Sequence, residues 1–330
     1  MNKEVERKNN LVGEAGSSQL TATPALNSLE IAQLIPQSAV WLSNFISLQT
    51  RRSYQTAIRE FIFFAGLQSD QDWGAVSRAM VIAWRDSLIS AGLSAQTVNN
   101  RLSALSSLFL HLCSSSEDIN KNPVDGVKRK PVNTDQVKSP VLTTEQVRLL
   151  LDAPEQHAPS DIRKLRDTAI LYTYFYTGCR VNEAGQLKVR DFFDDAGYSV
   201  LEFTIKGGKR NKIAIHQELK IAIHRYLQEA GHGQEMDLPL FLPTKGVNRD
   251  KHLSSRMLNK LFNKYVALAG LPVYITPHSA RASFITQALE RKCPIEAVQR
   301  SVGHCRIGTT QSYDKRLLRH KESASFAVVY

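Results

Sequence analysis

The chain has 330 residues, room for two domains each with its own core, and its 42 Lys and Arg against 31 Asp and Glu leave a formal charge of +11, which suits a polyanionic partner. No run of about 18 apolar residues occurs, which excludes a membrane span, and the polar start MNKEVERKNNLVGEAGSSQL lacks the apolar core of a secretory signal. The four scattered cysteines (Cys113, Cys179, Cys293, Cys305) form neither a CxxC pair nor a zinc spacing, so a reduced, cytoplasmic setting is expected.

Residues 1–30 read as a disordered tail and 31–121 as a helical domain. Within the latter, Tyr54, Ile58, Phe61 and Ala65 share one helical face, and Val98, Leu102, Leu105, Leu108, Phe109 and Leu112 share another, as in a small bundle. Ser94 marks the start of the second of these helices, whose polar face carries Gln96, Asn99, Asn100, Arg101 and Ser103. Residues 122–140 read as a linker, because Pro123, Pro131 and Pro140 interrupt any helix; Lys128, Arg129 and Lys130 make it basic.

Residues 141–330 form the second predicted domain. Thr143 and Gln146 have capping-box spacing, and DTAILYTYFYTGC reads as a long buried helix. Two strands, Ser199 to Ile205 and Lys212 to Ile215, flank a turn of Gly207, Gly208, Lys209, Arg210 and Asn211. Pro277 suits a first helical turn, which puts His278 and Arg281 on one face. A short helix starts near Pro294 and stops at VGH; another starts near Thr309 or Thr310, capped by their hydroxyls, with Tyr313 one turn inside it. The end, Ser325 to Tyr330, is apolar. There is neither a Gly-rich phosphate loop nor an Asp/Glu cluster of the metal-nuclease kind, so no cofactor and no metal are expected.

TGCRVNEAGQL, TIKGGKRNKIAI, PHSAR, VGH and TTQSYDK, in that order, resemble the motifs of the tyrosine recombinases, the phage-integrase and Xer superfamily. LSAQTVNNRLSALSSLF resembles their core-binding domain, and Thr50, Arg51 and Arg52 lead into a helix that members lay near DNA. The resemblance implies a mainly α fold: an N-terminal SAM-like helical bundle plus a mixed α+β, mostly helical catalytic domain with a small β-sheet. It implies Arg180, Lys206, His278, Arg281 and His304 as catalytic groups, Tyr313 as the nucleophile and Glu183 as their support. Lys209 and Lys212 compete for the lysine role. Arg51, Arg52, Asn99, Asn100, Arg101, Lys128, Arg129, Lys130, Lys209 and Arg210 are the expected DNA contacts. Two positions depart from the family pattern: Ala282 stands where a histidine is common, and VGH replaces LGH.

The implied function is site-specific recombination through a covalent 3′-phosphotyrosine and a Holliday junction. The implied partners are double-stranded DNA with inverted-repeat sites, three further copies of the chain in a homotetramer, a tail exchanged between copies, and accessory proteins. Two alternatives share the motifs: type IB topoisomerase or telomere-resolvase chemistry, and a non-catalytic sequence-specific DNA-binding protein.

Overall fold

A computed structural model describes residues 38–132, 139–205, 207–244 and 250–314. The tail 1–30, Lys206, part of the linker, Tyr330 and the apolar C-terminal end therefore lie outside the described residues. The chain divides into two compact units at Val132, inside the segment read as a linker.

The N-terminal unit contains α1 (Ser38–Ser43), α2 (Leu48–Ala65), a 3-10 turn (Asp70–Ala75), α3 (Arg78–Ser90) and α4 (Ala95–Ser115). Serine sets three of the starts: Ser47, Ser77 and Ser94 each accept a backbone N–H of the first turn, satisfying a donor the helix cannot pair itself. The buried faces meet around aromatic rings. Phe61 stacks on Trp73 at 6.1 Å and meets Trp84 edge-on at 4.9 Å, and Trp73 meets Phe109 edge-on at 5.7 Å. Val124 and Val127 are buried in the same core, so the first part of the predicted linker packs on the bundle. Its backbone is tied down as well, with Arg85 donating to the Lys128 carbonyl and Asn99 to that of Lys130.

The C-terminal unit runs α5 (Thr144–His157), α6 (Asp161–Thr177), α7 (Val181–Gly185), β1 (Phe192–Asp195), β2 (Tyr198–Thr204), β3 (Arg210–Ala214), α8 (Gln217–Ala230), α9 (Ser255–Leu268), α10 (Pro277–Glu290), α11 (Ile295–Val302) and α12 (Ile307–Gln311). Helix α6 is central, packing against α5, α7, α8 and α10. The predicted capping box forms: Thr143 Oγ1 accepts from Gln146 N, and Gln146 Oε1 from Thr143 N. The sheet is antiparallel in order β1-β2-β3, with Leu201 opposite both Phe192 and Ile213. Strand β1 was not expected from sequence. Its turn to β2 places Ala196 and Gly197 at φ 49° and 82°, a primed hairpin turn lacking the usual Asn-Gly or Asp-Gly signal. A satellite core of Ile285, Leu289, Val298 and Val302 joins α10 to α11, and Tyr313 packs against it. Among the described residues no helix is long and apolar enough to cross a membrane.

Helix α6 stops at Gly178, whose φ of 61° favours glycine, and a Cβ there would lie 2.6 Å from Phe284 Cδ1. Gly178→Ala combines backbone strain with overpacking between α6 and α10. Its urea unfolding midpoint is expected to fall by the equivalent of about 2 kcal/mol or more. An unchanged midpoint would contradict this packing.

Candidate active site

The end of α6, the first turns of α10 and the ends of α11 and α12 supply the groups that meet here. At the end of α6, Gly178 turns the chain so that Arg180 becomes the N-cap of α7. Glu183, buried, then grips Arg180 twice: its carboxylate accepts the Arg180 backbone N–H at 2.7 Å and Nη1 at 2.6 Å. This fixes a half-exposed guanidinium against a carboxylate that cannot move.

Helix α10 starts as predicted, with Pro277 at its first turn and a box between Thr276 and Ser279. It carries His278 and Arg281, one exposed and one almost wholly buried. The Arg281 guanidinium donates to the Gly178 carbonyl at 2.6 Å and the Val302 carbonyl at 2.7 Å, the two unpaired ends of α6 and α11. One arginine thereby ties three helices together while retaining further N–H donors.

Helix α11 ends at Gly303, φ 62°, and the turn delivers His304. His304 is buried, its carbonyl accepts from Gln299 Nε2 at 3.0 Å, and its Nδ1 lies 2.9 Å from the Thr310 hydroxyl. Its ring stacks on that of Tyr313 at 5.9 Å. Two local expectations are corrected. Helix α12 begins at Ile307 rather than near Thr309, with Arg306 as N-cap, and ends at Gln311, so Tyr313 follows the helix instead of sitting inside it. Its N–H still bonds the Thr310 carbonyl at 3.1 Å, and its own carbonyl accepts from Thr286 Oγ1 at 3.2 Å. Neither threonine caps, because the helix has already begun at Ile307 and both lie inside it; the Thr310 hydroxyl meets His304 instead.

The electrostatics reflect the closeness of these groups. Burial and then the charges of Arg281 and Arg180 hold His304 down at about 4, and partial burial of the ring with the same two charges lowers His278, although that residue remains open to solvent. Arg281 is also lowered, by burial and by Arg180, and is partly compensated by Glu183 and Tyr313. Burial pushes the neighbouring Cys179 thiol up to about 12, so it is protonated packing rather than a nucleophile.

A stability consequence follows. Both histidines bind protons more weakly in the folded than in the unfolded chain, so stability declines as pH falls from 6.5 and, for His304, continues to decline to about 4. Urea midpoints measured across this window are expected to fall more steeply for the wild type than for His304→Gln. Parallel slopes would contradict the burial of a neutral His304.

The β2–β3 hairpin reaches the same region. Ile205, the residue before Lys206, packs where a Cβ on Gly303 would lie 3.2 Å away, and Asn211 Nδ2 donates to the Ser301 carbonyl at 3.1 Å. Gly207 and Gly208 take the positive φ expected of this turn. Lys209 is exposed, whereas Lys212 pairs with Asp195 at 3.2 Å and covers the Phe193 ring.

The expected DNA contacts are placed less uniformly. Arg52, Asn100, Lys128, Arg129, Lys130 and Lys209 are exposed. Arg129 also donates to the Asn99 carbonyl at 2.7 Å. Arg51 is turned onto the Phe45 and Ser43 carbonyls, and Arg101 grips both carboxylate oxygens of Glu60 through Nε and Nη2. Arg210 bridges Asp191 at 2.6 Å and Glu202 at 2.5 Å. Sequence reading overlooked Thr286 and took Thr310 for a helix cap; the partners of both at the site become visible only in three dimensions.

Residues 140–319 match the model of the phage integrase family, and residues 38–115 that of the phage integrase N-terminal SAM-like domain. The tyrosine recombinase XerC of Actinobacillus pleuropneumoniae is 29% identical over 277 residues, covering 83% of this chain and 85% of its own. The fold resembles that of the XerH recombinase bound to a palindromic difH substrate, with a TM-score of 0.65 at 23% identity over 86% of this chain and 81% of that one. It also resembles the lambda integrase tetramer bound to a Holliday junction, with a TM-score of 0.64 at 18% identity over 86% and 79%. The family match and the relatives together define a tyrosine recombinase, an enzyme of the DNA strand-transferase class. The chain belongs to the phage integrase family.

Proposed function

We propose that this chain breaks and rejoins DNA through a covalent 3′-phosphotyrosine made by Tyr313. The observation that carries the reading is the convergence of Arg180, His278, Arg281, His304 and Tyr313 from separate segments of the C-terminal unit. Attack of the Tyr313 oxygen on a phosphodiester forms the O–P bond and breaks the bond to the 5′ oxygen. Extra charge then accumulates on the non-bridging oxygens, where the Arg180 and Arg281 guanidinium groups offer fixed donors that need no reorganisation. Glu183 supports Arg180; His304, held neutral, donates a hydrogen bond; and His278 takes the tyrosine proton. Lys206 protonates the departing 5′ oxygen. Attack by that oxygen, or by its counterpart on a second duplex, reverses the step without an external energy source.

The wider reading assigns residues 31–121 to core DNA binding and 141–330 to catalysis, joined by a basic segment. The exposed Arg52, Asn100, Lys128, Lys130 and Lys209 lead the phosphate contacts. Arg101 and Arg210, already paired with carboxylates, contribute geometry more than net charge, whereas Arg51, held by two carbonyls, keeps its full charge. The resemblance supports action as a cytoplasmic homotetramer on paired inverted sites, through a Holliday junction and with tail exchange.

A library of nicked duplexes with randomised inverted arms tests the chemistry. The expected product is a denaturant-resistant protein–DNA adduct at a 3′ phosphate, leaving a free 5′ hydroxyl and enriching one arm sequence. An adduct at a 5′ end, or none on enriched DNA, would overturn the reading. Relaxation of supercoils without arm preference would redirect it to type IB topoisomerase chemistry.

A further inference from the structure

Thr310 is completely buried, yet its hydroxyl faces a functional histidine rather than a helical carbonyl. Of the other buried threonines in this unit, Thr173 bonds the Ala169 carbonyl and Thr177 that of Thr173 within their own helix, whereas Thr286 reaches across to the Tyr313 carbonyl. Thr310 meets a side chain instead, with its Oγ1 2.9 Å from His304 Nδ1. A buried hydroxyl proton left without an acceptor is costly, and among the described residues Nδ1 is the acceptor this one meets. The hydroxyl therefore donates to Nδ1, which places the imidazole proton on Nε2. The same residue holds the tyrosine, since its carbonyl accepts the Tyr313 N–H at 3.1 Å.

We propose that Thr310 is a positioning residue that couples His304 to Tyr313, its hydroxyl selecting the Nε2–H tautomer and its carbonyl setting the turn that brings the tyrosine ring onto the histidine. The consequence is that His304 presents a hydrogen-bond donor, not a lone pair, on the edge away from Thr310. The residue is held at two points, by Thr310 at the side chain and by Gln299 at the main chain. The position and rotamer of His304 then depend on α12 being formed, and α12 in turn leads into Tyr313. The inference rests on the strand-cleaving reading of the site for its functional half, whereas its structural half does not.

Thr310→Val keeps the shape and removes the hydroxyl; Thr310→Ser keeps the hydroxyl. With wild-type protein labelled with 15N-histidine and no DNA present, His304 is expected to show a single Nε2–H tautomer, its resonances identified by their loss in His304→Gln. Thr310→Val is expected to give mixed tautomers and Thr310→Ser the wild-type pattern. In single-turnover cleavage of the enriched nicked duplex, Thr310→Val is expected to be on the order of 10-fold to 100-fold slower at unchanged DNA affinity, the range typical of partners that orient a functional histidine, with Thr310→Ser restoring most of the rate. In a His304→Gln background the Val substitution should add little further loss.

A wild-type Nδ1–H tautomer would overturn the proposal, as would a cleavage rate in Thr310→Val equal to wild type, or a Thr310→Ser as slow as Thr310→Val. If Thr310→Val fails to fold, the wild-type tautomer and the serine variant decide the question. Failure of the wild type to form any adduct would sink the cleavage reading and leave the tautomer result standing by itself.

Discussion

Tyr313→Phe is expected to abolish covalent capture of DNA while leaving the protein folded and able to bind. The substitution deletes one oxygen. It retains the ring that packs on His304 and the satellite core, and it leaves untouched the two main-chain bonds that hold this residue, to Thr310 and from Thr286. Folding should therefore change little, whereas the oxygen proposed to attack the phosphate is gone. Cys179, the thiol beside Arg180, is buried and protonated. The measurement is denaturing electrophoresis after incubation with a nicked duplex bearing the enriched arms, run beside Tyr330→Phe. Wild type and Tyr330→Phe should give the adduct and Tyr313→Phe none. An adduct persisting in Tyr313→Phe would remove Tyr313 from the role assigned to it.

Arg180→Lys and Arg281→Lys should each slow cleavage by on the order of 10²–10³, because a lysine keeps the charge but loses the planar fork that presents two donors to a phosphate. Their effects on stability should differ. Arg180 is partly exposed and its side chain is anchored at one point, so the ammonium group of the Arg180→Lys variant can still pair with Glu183 and the unfolding midpoint should remain near wild type. Arg281 is buried and joins the Gly178 and Val302 carbonyls, an arrangement that a single ammonium group cannot reproduce with the same reach. Leaving a buried carbonyl unpaired costs about 1–3 kcal/mol, so Arg281→Lys should unfold at clearly lower urea. Single-turnover cleavage and urea melts on both variants read the two effects separately. Near-normal cleavage by either variant would contradict its place in the reaction. Equal stability of the two would contradict the tie that Arg281 makes between helices.

Much of the molecule was legible before its structure because the governing physics is local. Ser94, the pair Thr143 and Gln146, and Pro277 announce helix starts, since a first turn needs acceptors for its free N–H groups and those acceptors lie within three or four residues. Apolar spacing likewise marked the faces of α2 and α4 that become the aromatic core of the N-terminal unit. The order of motifs carrying Arg180, His278, Arg281, His304 and Tyr313 was sufficient for the family.

The remainder was settled by partners distant in sequence. Whether a basic residue is free for DNA depends on where a carboxylate lands: Glu60 lies 41 positions before Arg101, and Asp191 lies 19 before Arg210. Strand β1 exists because β2 offers it a ladder, despite a weak turn signal. Arg281 reads in sequence as a phosphate ligand and in space also as the bolt between α6, α10 and α11. Thr310 and Tyr313 show the same division most sharply. Local propensity placed one as a helix cap and the other inside the helix, but the helix starts at Ile307, ahead of Thr310, whose hydroxyl meets the buried His304 ring instead, and it stops short of the tyrosine. A sequence specifies its caps and faces because those bonds close over a single turn. The assignment of a buried donor to its acceptor waits on the packing of whole helices, because only then is water excluded and each unpaired polar group made costly.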